Sequence, residues 1–245
     1  MTKKRVVVMT GGASGLGVAL TAHFLGRGDH VTMNYRSQAK ADKLIAELNT
    51  PDRLLAIKAD VTGRAEVIAM LDQTIERFRR LDVLFNSAGI NRDAPFLELT
   101  DEDWDSVVGA YLKGTFICSQ EFVCRKPEGS GHIINLGATC ALQGRKNGAN
   151  FCSAKGGVSA LTKCLAREFA PRNQVNCLIP SAVDTDEVRE RYHLDKPEGR
   201  KRVLDGIPMA RLGALDDVTH MVECILGARF TTGENFFVNG GEYML

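Results

Sequence analysis

The chain lacks the features that would place it outside the ordinary globular proteins. None of its apolar runs is long enough to cross a bilayer, and it has no internal repeat, low-complexity segment or Pro/Gly/Ser-rich linker to divide it. Its seven cysteines are scattered, with no CxxC pair and no His/Cys ligand spacing, which excludes a disulfide framework and a zinc site; no metal is expected. A charge bias is also missing: a formal net charge of +1 gives no reason to expect nucleic acid or a membrane surface as partner. The opening Met1-Thr2-Lys3-Lys4-Arg5 runs straight into Val6 to Met9 and then glycines, too short an apolar stretch for a signal peptide, so a cytoplasmic protein with reduced thiols is expected.

What the sequence does hold is an alternation. Short β-branched or aromatic runs, Val6 to Met9, Val31 to Tyr35, Leu54 to Ala59, Val83 to Phe85, Ile133 to Leu136, Val175 to Ile179 and Phe236 to Val238, read as seven strands. Between them lie stretches of helical period, such as Val67, Met70, Leu71, Ile75 and Phe78. Strands alternating with amphipathic helices predict an α/β fold: one Rossmann-fold domain over residues 1–245, a seven-stranded parallel sheet with helices on both faces. The one long segment without a clear period, residues 184–213, is read as a substrate lid. Its many charges suit either a solvated surface or contact with a phosphate-bearing ligand such as an acyl thioester.

The first strand ends in Thr10-Gly11-Gly12-Ala13-Ser14-Gly15-Leu16-Gly17 before a helix from Val18 to Leu25. Glycines at a strand-to-helix turn let the backbone approach a pyrophosphate, while free N–H groups and the helix dipole attract it. With this turn stand Asp60-Val61 after the third strand, Asn86-Ser87-Ala88-Gly89 after the fourth, and Val238-Asn239-Gly240-Gly241 near the end. In these marks the whole chain resembles the short-chain dehydrogenase/reductase family, and within it the bacterial 3-oxoacyl-(acyl-carrier-protein) reductases.

The resemblance implies a nicotinamide cofactor held by Gly11, Ser14, Gly15, Leu16 and Gly17 at the phosphates and by Asp60 and Val61 at the adenine. It further implies Asn86, Ala88 and Gly89 along the cofactor, Lys155 at its ribose, and Val183 and Thr185 at the carboxamide. Where family members that prefer NAD have an acid after the second strand, this chain has Arg36-Ser37, a guanidinium and a hydroxyl that suit a 2′-phosphate; NADP(H) is therefore expected over NAD(H). Ser181 follows Pro180 where the family has glycine, which puts a side chain beside the nicotinamide and is expected to weaken binding.

The family's catalytic Tyr-x-x-x-Lys is matched by Phe151-Cys152-Ser153-Ala154-Lys155, with phenylalanine in place of the tyrosine. Ala138 stands at the serine position thirteen residues earlier, and Tyr111 at the asparagine position. Of the four groups only Lys155 remains. A missing general acid typically costs about 10²- to 10⁴-fold, and a missing oxyanion donor roughly 10²- to 10³-fold, so standard ketone reduction is expected to be absent or strongly impaired. Two substitutes are conceivable: the Tyr111 hydroxyl as a proton donor, against a packing role, and Cys140 or Cys152 as a thiol activated by Lys155, against inert burial. His23 and His193 have no visible partner in the sequence.

The leading expectation is a cofactor-binding, non-catalytic or accessory subunit, a homotetramer or a hetero-oligomer with an active homologous chain. The alternatives are an enzyme of non-standard chemistry (enoyl reduction, cyclisation or elimination on an acyl or polyketide-like substrate) and a slow NADPH-dependent 3-oxoacyl reductase.

Overall fold

The computed structural model describes residues 4–127 and 129–244; Met1 to Lys3, part of the lead-in discussed above, lie outside the described residues. Seven parallel strands form one sheet in the order β3-β2-β1-β4-β5-β6-β7, with β1 Val6–Thr10, β2 His30–Tyr35, β3 Leu54–Lys58, β4 Val83–Asn86, β5 Gly131–Leu136, β6 Asn173–Pro180 and β7 Asn235–Val238. The fold is the expected α/β Rossmann architecture. Each of Val6, Val7, Val8 and Met9 is buried, because a strand covered on both faces needs apolar side chains on both.

One face carries α3 (Arg64–Phe78), α5 (Gly114–Arg125) and α7 (Ala149–Phe169); their Val67, Met70, Leu71, Ile117, Phe122 and Leu165 pack on the sheet around Val8 and Leu84. The other face carries α1 (Gly15–Gly26), α2 (Gln38–Leu48) and α10 (Leu215–Gly227), with Leu20, Phe24, Val218 and Val222 packed around Val7 and Phe85. The order reverses between β1 and β4, where Thr10 lies beside Asn86. In open parallel sheets the crevice above the carboxyl ends of two such strands is where ligands bind.

Two differences from the sequence reading matter. The segment 184–213, which shows no clear apolar period in the sequence, nevertheless holds α8 (Asp186–Tyr192) and α9 (Pro197–Leu204). Both are short and heavily charged, so no apolar stripe betrays them, and α8 is started by the Thr185 hydroxyl accepting from the Val188 N–H at 3.3 Å. The other difference lies between α4 (Asp101–Val108) and α5, where Gly109–Lys113 forms a π-helical turn. Such a turn inserts one extra residue and commonly marks a functional region. It carries Tyr111, whose carbonyl accepts from the Thr115 hydroxyl at 2.6 Å.

Candidate functional site

The glycine-rich turn is held in shape by its neighbours. Asn34 on β2 accepts from the Gly11 N–H at 3.2 Å and donates to the Ala59 carbonyl at 2.8 Å, so one side chain ties the turn to the ends of β2 and β3. Thr10 donates to the Phe85 carbonyl and accepts from the N–H groups of Ser87 and Ala88, at 3.2, 3.0 and 3.1 Å. Gly11 has φ +66°, and a Cβ there would stand 2.8 Å from the Ala88 Cα; one on Gly17 would overlap the Gly11 carbonyl. Glycine is therefore required at both positions by close backbone approach. Ser14 precedes α1 without capping it through its side chain, and Leu16 lies half-buried beside it.

At the outer rim the Asp60 carboxylate accepts from the N–H and hydroxyl of Thr62 at 2.8 and 2.7 Å and faces the Arg36 guanidinium at 3.9 Å. Burial works against its charge, but those two hydrogen bonds and Arg36 hold the carboxyl below its ordinary value. Arg36 and Ser37 are exposed, and the Ser37 hydroxyl does not cap α2. Val61 is buried beneath them. Further in, the Asn86 amide donates to Ser119 Oγ at 3.1 Å and to Asn135 Oδ1 at 2.8 Å, while its own Oδ1 is buried without a hydrogen-bond partner. The Ser181 hydroxyl is likewise buried and unpaired. Val183 is buried beside Gly213, and Thr185 is committed to starting α8.

The inner pocket collects positions 111, 138, 151 and 155. Phe151 and Lys155 lie one turn apart on α7; Tyr111 meets Phe151 edge-on at 5.2 Å between centroids, and Ala138, Cys140 and Cys152 pack around them. Lys155 is only 3% exposed. Its Nζ donates to the Leu136 carbonyl and sits 4.2 Å from the Tyr111 centroid. Burial lowers its pKa to about 8. Tyr111 also packs against Gly89, so closely that a Cβ on that glycine would overlap the ring atoms.

Tyr111 is buried, its hydroxyl reaches only Asn91 Oδ1 at 3.5 Å, and burial pushes its pKa far up, which suits packing better than proton donation. Cys140 is pushed up to about 12, by burial first and by Cys152 next, which opposes a thiolate there. His23 does have a partner, contrary to the sequence reading: its Nε2 lies 3.0 Å from Glu223 Oε1, a carboxylate that α10 brings from two hundred residues away. His193 ends α8 in a left-handed conformation. Among the described residues no three His, Cys, Asp or Glu side chains converge as a metal site would require.

Comparison with known proteins bears on this geometry. The short chain dehydrogenase family model matches residues 5–195, a span that contains the glycine-rich turn, Asp60, Asn86 to Gly89, Lys155 and α8. The chain belongs to the short-chain dehydrogenase family. It is 34% identical over 250 residues to a 3-oxoacyl-(acyl-carrier-protein) reductase of Staphylococcus aureus, covering 100% of this chain and 99% of the relative. A reductase of the same name from Synechocystis is 32% identical, over 98% and 97% of the two chains. Among solved structures, a short-chain dehydrogenase/reductase described as glucose/ribitol dehydrogenase from Brucella melitensis superposes with a TM-score of 0.88 at 28% identity, covering 98% and 97%.

Sequence reasoning pointed to the turn, the rim and the α7 positions, and took Arg191 only as one charge of the lid; the structure places three further side chains beside them. Arg145 reaches across to pair with both oxygens of Asp93 at 2.7 Å, and its guanidinium stands 5.0 Å from the Phe151 centroid. Arg191 and Glu187 come from α8, Arg191 to 6.0 Å from the same ring and Glu187 to the glycine-rich turn. Nothing local signals any of them, because each depends on where its loop or helix folds back. Beside Arg145 a cavity of about 420 Å³ opens between Ala94 to Phe96 and Lys146 to Ala149.

Proposed function

We propose that this short-chain dehydrogenase binds NADP(H) but does not carry out standard carbonyl reduction, and that it serves as a non-catalytic or accessory subunit beside an active homologous chain. The observation that carries the reading is the chemistry of the inner pocket: alanine at 138 and phenylalanine at 151 offer no hydroxyl to a substrate oxygen, and Lys155 is covered by the Tyr111 ring. A nicotinamide, when bound, supplies or accepts a hydride. With no donor beside the carbonyl, the oxygen would be left as an unstabilised alkoxide.

The cleft's own atoms suit a dinucleotide. A backbone cradle that admits only glycine at 11 and 17, an exposed Arg36 and Ser37, and Asp60 held as a carboxylate suit the phosphates, a 2′-phosphate and the adenine in turn. The unpaired Asn86 Oδ1 is an acceptor at the inner end. Lys155 would meet a ribose hydroxyl once Tyr111 turns aside, and Ser181, with its buried hydroxyl, narrows the carboxamide end formed by Val183 and Thr185.

Incubation of the purified protein with NADPH and a 3-oxoacyl thioester tests the proposal: turnover near the uncatalysed background is expected, and rates typical of working reductases would overturn it. Phe151→Tyr with Ala138→Ser should raise any residual rate by about 10²- to 10⁴-fold. A second reading, a slow 3-oxoacyl reductase, is supported by end-to-end likeness to the two reductases and predicts measurable wild-type turnover that the same double substitution accelerates. A third, non-standard chemistry such as enoyl reduction or elimination on an acyl substrate, draws on Lys155, whose pKa of about 8 suits proton exchange near neutrality. It predicts a product that disappears in Lys155→Ala.

A further inference from the structure

We infer that Glu187 is a specificity-determining residue of the nucleotide cleft: its carboxylate opposes a pyrophosphate at the start of α1 and weakens the hold on a dinucleotide there, while leaving the adenosine 2′-phosphate end untouched. The inference rests on the nucleotide-binding reading above. It starts from α1, whose twelve residues point their positive end at the glycine-rich turn; neither a side-chain cap at Ser14 nor an acid in the first turn offsets that end from within the helix. The acid comes instead from α8. A Cβ placed on Gly15, which has φ +50°, would lie 2.9 Å from Glu187 Oε2 and 3.8 Å from Oε1, so the carboxylate rests on the glycine itself.

Glu187 is held there by how α8 is anchored. Thr185 starts the helix, and Asp184 receives Arg189 through two hydrogen bonds of 2.6 and 2.8 Å, which fixes the segment around Glu187. Among the described ion pairs Glu187 has no partner, so its charge is not neutralised by a neighbouring cation. A pyrophosphate entering the turn would meet a carboxylate within a few ångströms; Glu187 is exposed, so each pair of like charges repels by about 1 kcal/mol at about 4 Å in water, and a pyrophosphate carries more than one charge. The rim is different. Arg36, Ser37 and Asp60 stand at the ends of β2 and β3, open to solvent or nearly so, and a 2′-phosphate with its adenine can settle there without touching Gly15.

The test is calorimetric titration of the wild type, Glu187→Gln and the control Glu190→Gln, an exposed acid on the same helix, with adenosine 2′-monophosphate and with NADPH. Glu187→Gln should tighten NADPH about tenfold, a single pairwise repulsion removed, and leave adenosine 2′-monophosphate within twofold; Glu190→Gln should change neither. Circular dichroism confirms that the variants fold. If adenosine 2′-monophosphate binds but NADPH gains nothing from Glu187→Gln, or if Glu190→Gln has the same effect, the role of Glu187 is overturned while the nucleotide cleft stands. If neither ligand binds any of the proteins, the cleft reading itself fails, and this inference with it.

Discussion

Lys155 carries an ammonium into a pocket made of two aromatic rings and a carbonyl. Because its pKa falls to about 8 in the fold from 10.5 when free, the folded chain holds fewer protons than the unfolded chain between those values, and stability from this group rises with pH across that window. Buried cysteines act the other way: Cys177 is pushed up to about 11, so its contribution falls once unfolded thiols begin to ionise. Comparing the wild type with Lys155→Met isolates the lysine. The variant should be the more stable at pH 7, by an amount on the order of a few kcal/mol, and the gap should close by pH 10.5; thermal melts across that range check it. A gap independent of pH would mean that Lys155 is not desolvated as described.

At this scale the sequence spoke clearly for some residues and not for others. Gly11 and Gly17 were legible because only glycine tolerates such close backbone approach, and the motif spacing carries that requirement. The hydroxyl-free positions 138 and 151 were legible as identities. The direction of the Tyr111 ring was not, since it depends on one extra residue of helical turn. His23 looked partnerless because its acid lies on α10, across two hundred residues of chain.

Among the elements, the π-helical turn decides what the inner pocket looks like. It aims Tyr111 inward so that the ring lies on Gly89 and under the Lys155 ammonium. Gly89→Ala should therefore destabilise the protein by about 1–3 kcal/mol, the usual cost of overpacking. In a Tyr111→Ala background the same change should cost much less, which a double-mutant cycle by denaturant unfolding would measure. Equal costs in both backgrounds would show that the ring does not rest on that glycine. The strands were readable because parallel strands are apolar on both faces. The helices α8 and α9 were not: with so few apolar positions, α8 relies on its Thr185 cap and the Arg189–Asp184 pair, and α9 on Pro197 at its start and the Lys201–Asp205 pair, rather than on an amphipathic stripe.

For the whole molecule, the proposal of an accessory subunit requires contact with other chains. Trp104 on α4 and Phe116 on α5 are 37% and 39% exposed, large apolar side chains that a lone protomer leaves in water. If these helices form an assembly face, Trp104→Lys with Phe116→Asp should lower the sedimenting mass, while the wild type sediments as an oligomer, alone or together with a co-expressed active homologue. A wild type that sediments as a single chain under both conditions would remove the accessory-subunit proposal.

The short helix α8 touches both halves of the cleft. Glu187 reaches Gly15, and Arg191, one turn on, reaches toward Phe151. A rigid body this small cannot withdraw one hand and keep the other in place. A shift of α8 as a unit would move the acid away from the glycine-rich turn and Arg191 away from the aromatic ring together, and by thermodynamic reciprocity an occupant of the inner pocket that displaces the helix would ease entry at the far end. Two ligands could then help each other to bind while never meeting.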